Sequence, residues 1–220
     1  MAVSSRQWDP LEPPVSLSAE KIRYTPQQHL ALERKAASRS EYHDGWLSAM
    51  SGASREQNLI AGSPYASIHA QLQDRPCEAN LGEMPVRVSA AGLPTYPEVI
   101  VVCGRPPFED RELDTPLNPT LIVEILSEST EAYDRGVKCT HYGRLPSLRQ
   151  DVLVCQDMLL VERFTRQGGE WLLRECSRLE DVVPPVVIGC EAPLRAIFAE
   201  IEFPQEASSG AGEPVSSMQT

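Results

Sequence analysis

A glutamate in the middle of a strongly apolar segment constrains this chain more than any other feature. Glu124 lies in PTLIVEILS (residues 119–127), where apolar side chains occupy both faces of the predicted strand. That pattern is typical of a central strand covered on both sides. An isolated carboxylate is costly to bury there unless a cation or several hydrogen-bond donors meet it. A structural salt bridge and a functional role are both compatible with such a residue.

A second carboxylate beside another apolar segment favours the functional interpretation. Glu98 lies in TYPEVIVVC (residues 95–103), directly before the apolar run. Neighbouring strands of one sheet would place Glu98 and Glu124 within a few ångströms of each other. Two such carboxylates repel and share a proton unless a divalent cation lies between them. Oxygen ligands suit Mg²⁺ or Mn²⁺ rather than zinc, so the pair predicts a magnesium or manganese site.

A lysine on the following helix is the third candidate. In EAYDRGVKCTHY (residues 131–142) the residues Asp134, Lys138 and Tyr142 are spaced four apart and share one helix face. The spacing alone favours an ordinary surface Asp–Lys pair, worth about 0.3 kcal/mol. The helix follows the Glu124 strand directly, however, so its first turns are in position to cover the end of that strand. Asp134 and Tyr142 are then supporting residues beside Lys138.

Three segments together resemble a known family. YPEVIVVCG, LNPTLIVEILSESTEAYDRGVK and HYGRLPSL are similar to the Uma-two family of restriction endonucleases, within the PD-(D/E)XK nuclease superfamily. The resemblance extends upstream to SEYHDGWLSAMSGAS and covers residues 25–203. It implies an α/β (α+β) fold of the restriction-endonuclease-like kind. In that fold a mixed central sheet contains the Glu98 and Glu124 strands and is flanked by helices.

The family pattern also assigns residues. The Pro-Glu pair that ends at Glu98 matches the Pro-Asp of the family, and Glu124 matches its second acid. Lys138 matches a lysine that has moved from the strand, at the position of Leu126 here, to the following helix. The family usually carries Asp where this chain has Glu98.

The resemblance implies metal-assisted hydrolysis of phosphodiester bonds in DNA. Glu98 and Glu124 would hold Mg²⁺ or Mn²⁺, which polarises a phosphate and lowers the pKa of a bound water. Lys138 would position that water or stabilise the charge that develops on the phosphoryl group. Glu41 matches the acid at the end of the first helix and would orient the metal-bound water.

Two properties keep other functions open. With 20 basic and 31 acidic residues the net charge is −11, which disfavours sequence-independent binding to DNA. Glu98 is one methylene longer than Asp, and a misplacement of roughly 1 Å costs on the order of 10²-fold in rate. The chain is therefore alternatively a weakened or inactive relative that acts as a binding or interaction module. A metal-dependent hydrolase with another substrate is a third hypothesis.

The composition predicts one domain with two tails. The chain of 220 residues is long enough to bury a substantial core. Residues 1–24 contain three prolines and no periodicity, so we expect a disordered or loosely draped arm ahead of the domain at 25–203. The end of the chain, 204–220, is rich in Ser, Gly and Glu and predicts a disordered tail.

Local signals place several elements. TPQQ (residues 25–28) is a capping box that begins a helix to about Ser40, which puts Glu41 at its exit. SREQ (residues 54–57) begins a second helix, which Pro64 is expected to kink or break. Gly168-Gly169 between two strand-like segments predicts a hairpin.

Cysteine usage and targeting signals bear on location and assembly. The six cysteines show no CxxC spacing, and we expect them to be buried free thiols. No signal peptide occurs, nor an apolar run of about 18 residues, so the sequence predicts a soluble cytoplasmic protein. Nucleases of this kind often pair to cut both strands, so the resemblance also implies a homodimer.

Overall fold

The computed structural model describes residues 22–36, 40–43, 45–49, 52–82, 84–87, 94–109, 111–112, 114–185 and 187–203. The predicted arm and tail, apart from residues 22–24, lie outside the described residues. The elements are, in chain order, α1 (Pro26–Glu33), β1 (Ser40–His43), β2 (Trp46–Ala49), α2 (Arg55–Gln71), β3 (Cys77–Leu81), β4 (Val86–Arg87), β5 (Pro94–Thr95), β6 (Val99–Cys103), β7 (Pro119–Leu126), α3 (Glu131–Tyr133), a π-helical turn (Asp134–Lys138), α4 (Cys139–Tyr142), β8 (Gln150–Cys155), β9 (Val161–Gln167), β10 (Glu170–Cys176), β11 (Val182–Val183), β12 (Ala192–Pro193) and α5 (Leu194–Ile197).

A mixed six-stranded sheet forms the centre of the molecule, as the sequence predicted. Its strand order is β10-β9-β8-β7-β6-β3, and β7 and β8 are its parallel pair. A parallel pair needs a crossover connection, and the helical segment from α3 through α4 supplies it. Three two-stranded sheets, β1-β2, β4-β5 and β11-β12, accompany the central one.

The two faces of the sheet are buried in different ways. On one face α2 and α5 cover an aliphatic core to which β7 contributes Leu121, Val123 and Ile125. On the other face Ile122 packs with Tyr142 of α4, in a smaller core beneath the crossover segment. Glu124 shares this second face because side chains alternate along a strand. The face that carries the carboxylate is thus the face that the crossover helices cover.

The turn chemistry predicted from the sequence is present. Thr25 caps α1, and the reciprocal bond from its own N–H to Gln28 completes the capping box. Gly168 and Gly169 both have positive φ, 58° and 96°, and join β9 to β10 in a hairpin. Two positive φ values suit the right-handed twist of paired strands, which explains the two glycines.

Other local predictions were wrong. The α1 helix ends at Glu33 rather than near Ser40, and Glu41 lies on β1, paired with Ser48. Pro64 does not break α2, which continues from Arg55 to Gln71. Pro64 is itself buried, as are Ile60 and Ile68 on the same helix. The free energy gained by burying these side chains offsets the cost of the backbone hydrogen bond that a proline cannot make.

The prediction of free thiols was wrong for one pair of cysteines. Cys77 and Cys103 form a disulfide that joins β3 to β6. The antiparallel register places them directly opposite each other, with their Cα atoms 4.0 Å apart. Cys139, Cys155, Cys176 and Cys190 are free.

None of the helices within the described ranges has the length and the apolar character needed to cross a lipid bilayer.

Candidate active site

The two carboxylates singled out from the sequence meet at the junction of β6 and β7. The antiparallel register pairs Val99 with Val123, so its next step sets Glu98 opposite Glu124. Glu98 Oε2 accepts the backbone N–H of Ile125 at 3.1 Å. The negative charge of Glu98 and a hydrogen bond between the two side chains both raise the pKa of Glu124. The two acids are therefore close enough to compete for a proton or to share a cation.

Glu124 is held by two donors although it is almost completely buried. Its exposed fraction is 2%. Oε1 accepts the Tyr142 hydroxyl at 2.6 Å and lies 2.8 Å from the Lys138 ammonium nitrogen. Burial is the largest cause of its raised pKa, and the positive charge of Lys138 opposes that rise. Both donors meet Oε1, and Glu98 interacts with the same carboxylate.

Lys138 is a buried cation, so the interpretation of Asp134 and Lys138 as a surface pair was wrong. Lys138 is 4% exposed, and its Nζ also pairs with Asp134 Oδ1 at 3.2 Å. Both residues belong to the π-helical turn, whose wider winding is rare and is often found at functional sites. The turn lies over the sheet and directs the ammonium group at Glu124. The Lys138 ammonium group thus forms ion pairs with both Glu124 and Asp134.

Tyr142 completes the contacts around Glu124. Its hydroxyl lies 2.9 Å from Thr95 Oγ1 on β5 while donating to Glu124. Burial, followed by the charge of Glu124, raises the pKa of Tyr142 well above its ordinary value. The hydroxyl therefore stays protonated and remains a donor. The predicted supporting residues Asp134 and Tyr142 are both brought to the site, one through Lys138 and one directly.

Gln57 is a site residue that the sequence interpretation missed. Its backbone N–H donates to the Ser54 side chain at the start of α2. Its side chain, however, donates from Nε2 to Glu98 Oε1 at 2.7 Å. The local pattern SREQ suggested only a capping role, because the distance in sequence between Gln57 and Glu98 hides their contact.

For Glu41, the fourth predicted site residue, the structure describes the backbone but not the side chain. Its backbone is on β1, and its side chain lies outside the described residues. A different acid of this region, Glu33, is 4% exposed on α1. It accepts the Ser40 N–H at 2.8 Å and the Tyr96 hydroxyl at 3.1 Å. Glu33 thus ties α1 to the segment that leads into Glu98.

Asp151 is a further buried acid that the sequence interpretation passed over. It lies on β8, opposite Ile122 of β7 and therefore on the same face as Glu124. Burial raises its pKa to about 7, against the lowering effect of the Lys138 charge. The available signal was a carboxylate at the start of the apolar run DVLVC. Lys138 thus acts on acids from two neighbouring strands.

A polar groove of about 510 Å³ opens beside the Glu98–Glu124 pair. Gln57 belongs both to its lining and to the hydrogen bonds of Glu98. The rest of its lining is mostly polar: Gly52, Ser54, Ser127, Glu128, Ser129 and Gln156. The groove and Glu98 thus have Gln57 as a common neighbour.

The two carboxylates can hold a magnesium or manganese ion. A carboxylate offers about four lone-pair positions; donors use two at Glu98 and two at Glu124, and the hydrogen bond between the two acids also occupies them in part. Mg²⁺ is commonly bound by one or two carboxylates and keeps several waters, so this donor set fits it. Within the described ranges no three His, Cys, Asp or Glu side chains cluster as metal ligands.

Comparisons with known proteins agree with the resemblance noted in the sequence. The family model Uma2, described as "Putative restriction endonuclease", matches residues 26–195. Two uncharacterized proteins of Synechocystis sp. are similar to this chain. One, sll1609, is 29% identical over 152 residues, which are 69% of this chain and 86% of that protein. The other, slr1290, is 30% identical over 159 residues, which are 72% and 83%.

A solved structure shares the fold. The crystal structure of "a putative nuclease belonging to DUF820" from Anabaena variabilis matches with a TM-score of 0.65 at 18% sequence identity. The match covers 80% of this chain and 98% of that chain. At this low sequence identity the match supports the overall architecture described above.

Proposed function

This chain belongs to the Uma2 family of restriction-endonuclease-like proteins, and on that premise we propose that it is a divalent-metal-dependent endonuclease that hydrolyses phosphodiester bonds in DNA. One observation carries the proposal. Two acids from adjacent strands, Glu98 and Glu124, meet beside the buried ammonium group of Lys138. The arrangement combines ligands for a cation with a fixed positive charge, as phosphoryl transfer requires.

Glu98 and Glu124 would hold Mg²⁺ or Mn²⁺. The ion, when bound, supplies a Lewis acid for the phosphate oxygen and a water of lowered pKa. Glu98 carries an additional methylene compared with the aspartate usual in the family. Its carboxylate is fixed by Gln57 on one oxygen and by the Ile125 N–H on the other. These two donors locate the longer side chain, which supports catalysis despite the substitution.

Lys138 and Tyr142 set the charge state of Glu124. Without the ammonium group, burial would hold Glu124 protonated, because desolvation is the largest cause of its raised pKa. Lys138 lowers that pKa, and a bound divalent cation would lower it further, so that the carboxylate becomes available as a ligand. The Tyr142 hydroxyl occupies Oε1 and so fixes the orientation of the group. Glu41, assigned by the resemblance, is proposed to orient the metal-bound water.

The negative net charge is compatible with this function if the protein binds DNA locally. A net charge of −11 opposes nonspecific attraction to DNA. A divalent cation bound by Glu98 and Glu124 would neutralise the negative charge of the two carboxylates at the point where a phosphate must enter. DNA binding is therefore expected to depend on the divalent ion more steeply than in a basic nuclease.

Nicking of supercoiled plasmid DNA tests the proposal. Wild-type protein is assayed with Mg²⁺ or Mn²⁺ and again with a chelator, beside Glu124→Gln and Lys138→Met. Each variant is expected to lose at least about 10²-fold in rate, because each removes a charge that acts on the reacting phosphate. Glu78→Gln is the matched control, since Glu78 is an exposed carboxylate on β3. The chelator is expected to stop nicking entirely.

The same assay separates the alternative functions. Isothermal titration that shows divalent-ion binding without any nicking would favour a binding module or a hydrolase of another substrate. Titration that shows no ion binding would reject every metal-dependent hypothesis. Glu98→Asp restores the residue usual in the family, so a gain in nicking would identify this chain as a weakened member. Equal nicking by wild type and Glu124→Gln would refute the assigned site.

We also propose that the protein acts as a homodimer in the cytoplasm. One active site cuts one strand, so a double-strand cut needs two copies. Sedimentation with and without a DNA duplex tests the assembly, and a monomer under both conditions would contradict it. Fractionation of cells of the native host tests the location.

A further inference from the structure

A second cavity, of about 410 Å³, lies against the C-terminal half of the crossover helices. Cys139 and Thr140 of α4 border it on one side, Asp151 of β8 lies at the sheet, and Phe164 and Trp171 of the β9-β10 hairpin complete the walls. None of these residues lines the groove beside Glu98. The cavity is therefore distinct from that groove, although Asp151 connects it to Lys138, and its volume is in the range typical of small-molecule sites.

Asp151 points to a missing ligand. Its residue is 2% exposed, and neither carboxylate oxygen has a hydrogen-bond partner of regular geometry among the described residues, although the Val152 backbone N–H lies near enough to lower its pKa. The Cys139 thiol lies beside it but is only a weak donor. Buried carboxylates are normally met by strong donors, because the uncompensated group loses its hydration. A ligand that enters this cavity with an N–H donor would satisfy Asp151.

The aromatic residues define the shape of such a ligand. Phe164 pairs with Asp151 in the β8-β9 register, and Trp171 belongs to the next strand. The Arg166 guanidinium lies 4.7 Å from the centre of the Trp171 ring system and stacks on it, which holds the ring in place. Two aromatic walls beside an acceptor favour a flat ring that carries a donor.

The positive charge near the cavity indicates which charge a flat ligand should carry. Arg144 is exposed and lines the cavity, and the Arg166 cation lies behind Trp171. Two guanidinium groups disfavour a cationic ligand and favour one that carries an anionic group. A phosphate is the anion that a guanidinium binds best, through two parallel hydrogen bonds.

We propose that this cavity is a nucleotide site for a base with an exocyclic amino group. The base stacks against Phe164 and Trp171, its amino group donates to Asp151, and its phosphate lies toward Arg144. Carboxylates accept hydrogen bonds from the amino group of cytosine in the same way where proteins recognise base edges. The base comes either from a free mononucleotide or from an unpaired residue of a nucleic-acid strand. The site does not depend on DNA cleavage.

Calorimetric titration in the presence of a chelator tests the site, because the chelator prevents cleavage. Deoxycytidine monophosphate is expected to bind wild-type protein at least tenfold more tightly than deoxyuridine monophosphate, which lacks the amino group. Asp151→Asn is expected to remove this preference, because the Asn amide can either accept a hydrogen bond from cytosine or donate one to uracil. Arg144→Gln is expected to weaken both nucleotides several-fold and to leave the affinity for the nucleoside deoxycytidine unchanged. Arg195→Gln, at an exposed arginine on α5, is the control.

The outcomes are decisive in both directions. Absence of binding by either nucleotide, equal affinity for the two, or a preference that persists in Asp151→Asn would each overturn the proposal. Phe164→Leu keeps an apolar wall and is expected to weaken both nucleotides equally, so it tests stacking if Asp151→Asn fails to fold. A short oligodeoxycytidylate identifies the source of the base: tighter binding than the monomer assigns the site to a strand, and equal binding assigns it to a free nucleotide.

Discussion

Replacement of Lys138 by methionine tests the central interaction of the site without any assumption about activity. The Lys138 Nζ lies 2.8 Å from Glu124 Oε1, and their side chains are 5% and 2% exposed. Removal of one partner from a buried pair leaves an uncompensated charge and costs about 3–5 kcal/mol. An exposed pair would cost about 0–1 kcal/mol. We therefore expect Lys138→Met to lower the free energy of unfolding by about 3–5 kcal/mol at pH 8.

The pH dependence of this loss has a definite sign. Folding raises the pKa of Glu124 above its ordinary value of 4.5. The protonated form is therefore favoured in the native state, and stability falls as pH rises through the native pKa. Lys138 opposes the raised pKa, so its removal moves the native pKa higher still. The difference between wild type and Lys138→Met is expected to be small near pH 5 and large at pH 8.

Urea unfolding followed by circular dichroism measures both quantities. With a denaturant slope of about 2 kcal/mol/M, the expected loss moves the midpoint at pH 8 by about 2 M. Lys138→Met combined with Glu124→Gln should recover part of the loss, since the uncompensated charge is then absent. Lys35→Met is the control, because Lys35 is exposed on the turn after α1, and it should stay within about 0.5 kcal/mol of wild type. A loss below about 1 kcal/mol at pH 8, or one that does not grow with pH, would refute the buried ion pair.

Three further predictions concern stability. Burial raises the pKa of Asp151 to about 7, so stability should fall between about pH 4 and pH 7 by on the order of 4 kcal/mol. Asp151→Asn should remove this slope and be more stable than wild type at pH 8 in urea unfolding; an unchanged slope would contradict the buried charge. Tyr142→Phe should cost about 1–2 kcal/mol by calorimetry, because Glu124 loses a buried donor; a neutral effect would show that this bond is not formed. Reduction of the Cys77–Cys103 disulfide, whose cysteines are 26 residues apart, should cost about 3.5 kcal/mol in denaturant. A thiol assay that finds six free cysteines in non-reducing buffer would show that the disulfide is not formed.

Local patterns were enough to predict much of the architecture. The apolar run around Glu124 has the residue alternation of a strand buried on both faces, and β7 has that geometry. The Gly168-Gly169 turn and the Thr25 cap depend on residues within a few positions of each other, so their conformations follow from local backbone sterics and hydrogen bonding. The end of α1 was mispredicted because helix termini depend on tertiary contacts as well as on propensity, and Glu33 is held by Ser40 and Tyr96.

The site was predicted only in part, for a related reason. Glu98 and Glu124 were recognisable because a charge in or beside an apolar strand stands out in the sequence. Lys138 was recognised from its position on the helix that follows the Glu124 strand and from the family resemblance. Gln57 was not, because it is 41 residues from Glu98 in sequence and carries an ordinary capping pattern.

The amino-acid sequence thus specified which segments form the sheet, and which polar residues would be costly to place within it. The tertiary structure alone established that Lys138 is buried rather than solvated, that Gln57 turns toward Glu98, and that Asp151 is left without a strong donor. Strand periodicity acts between neighbours along the chain, whereas desolvation and charge pairing depend on which distant residues share a volume from which water is excluded.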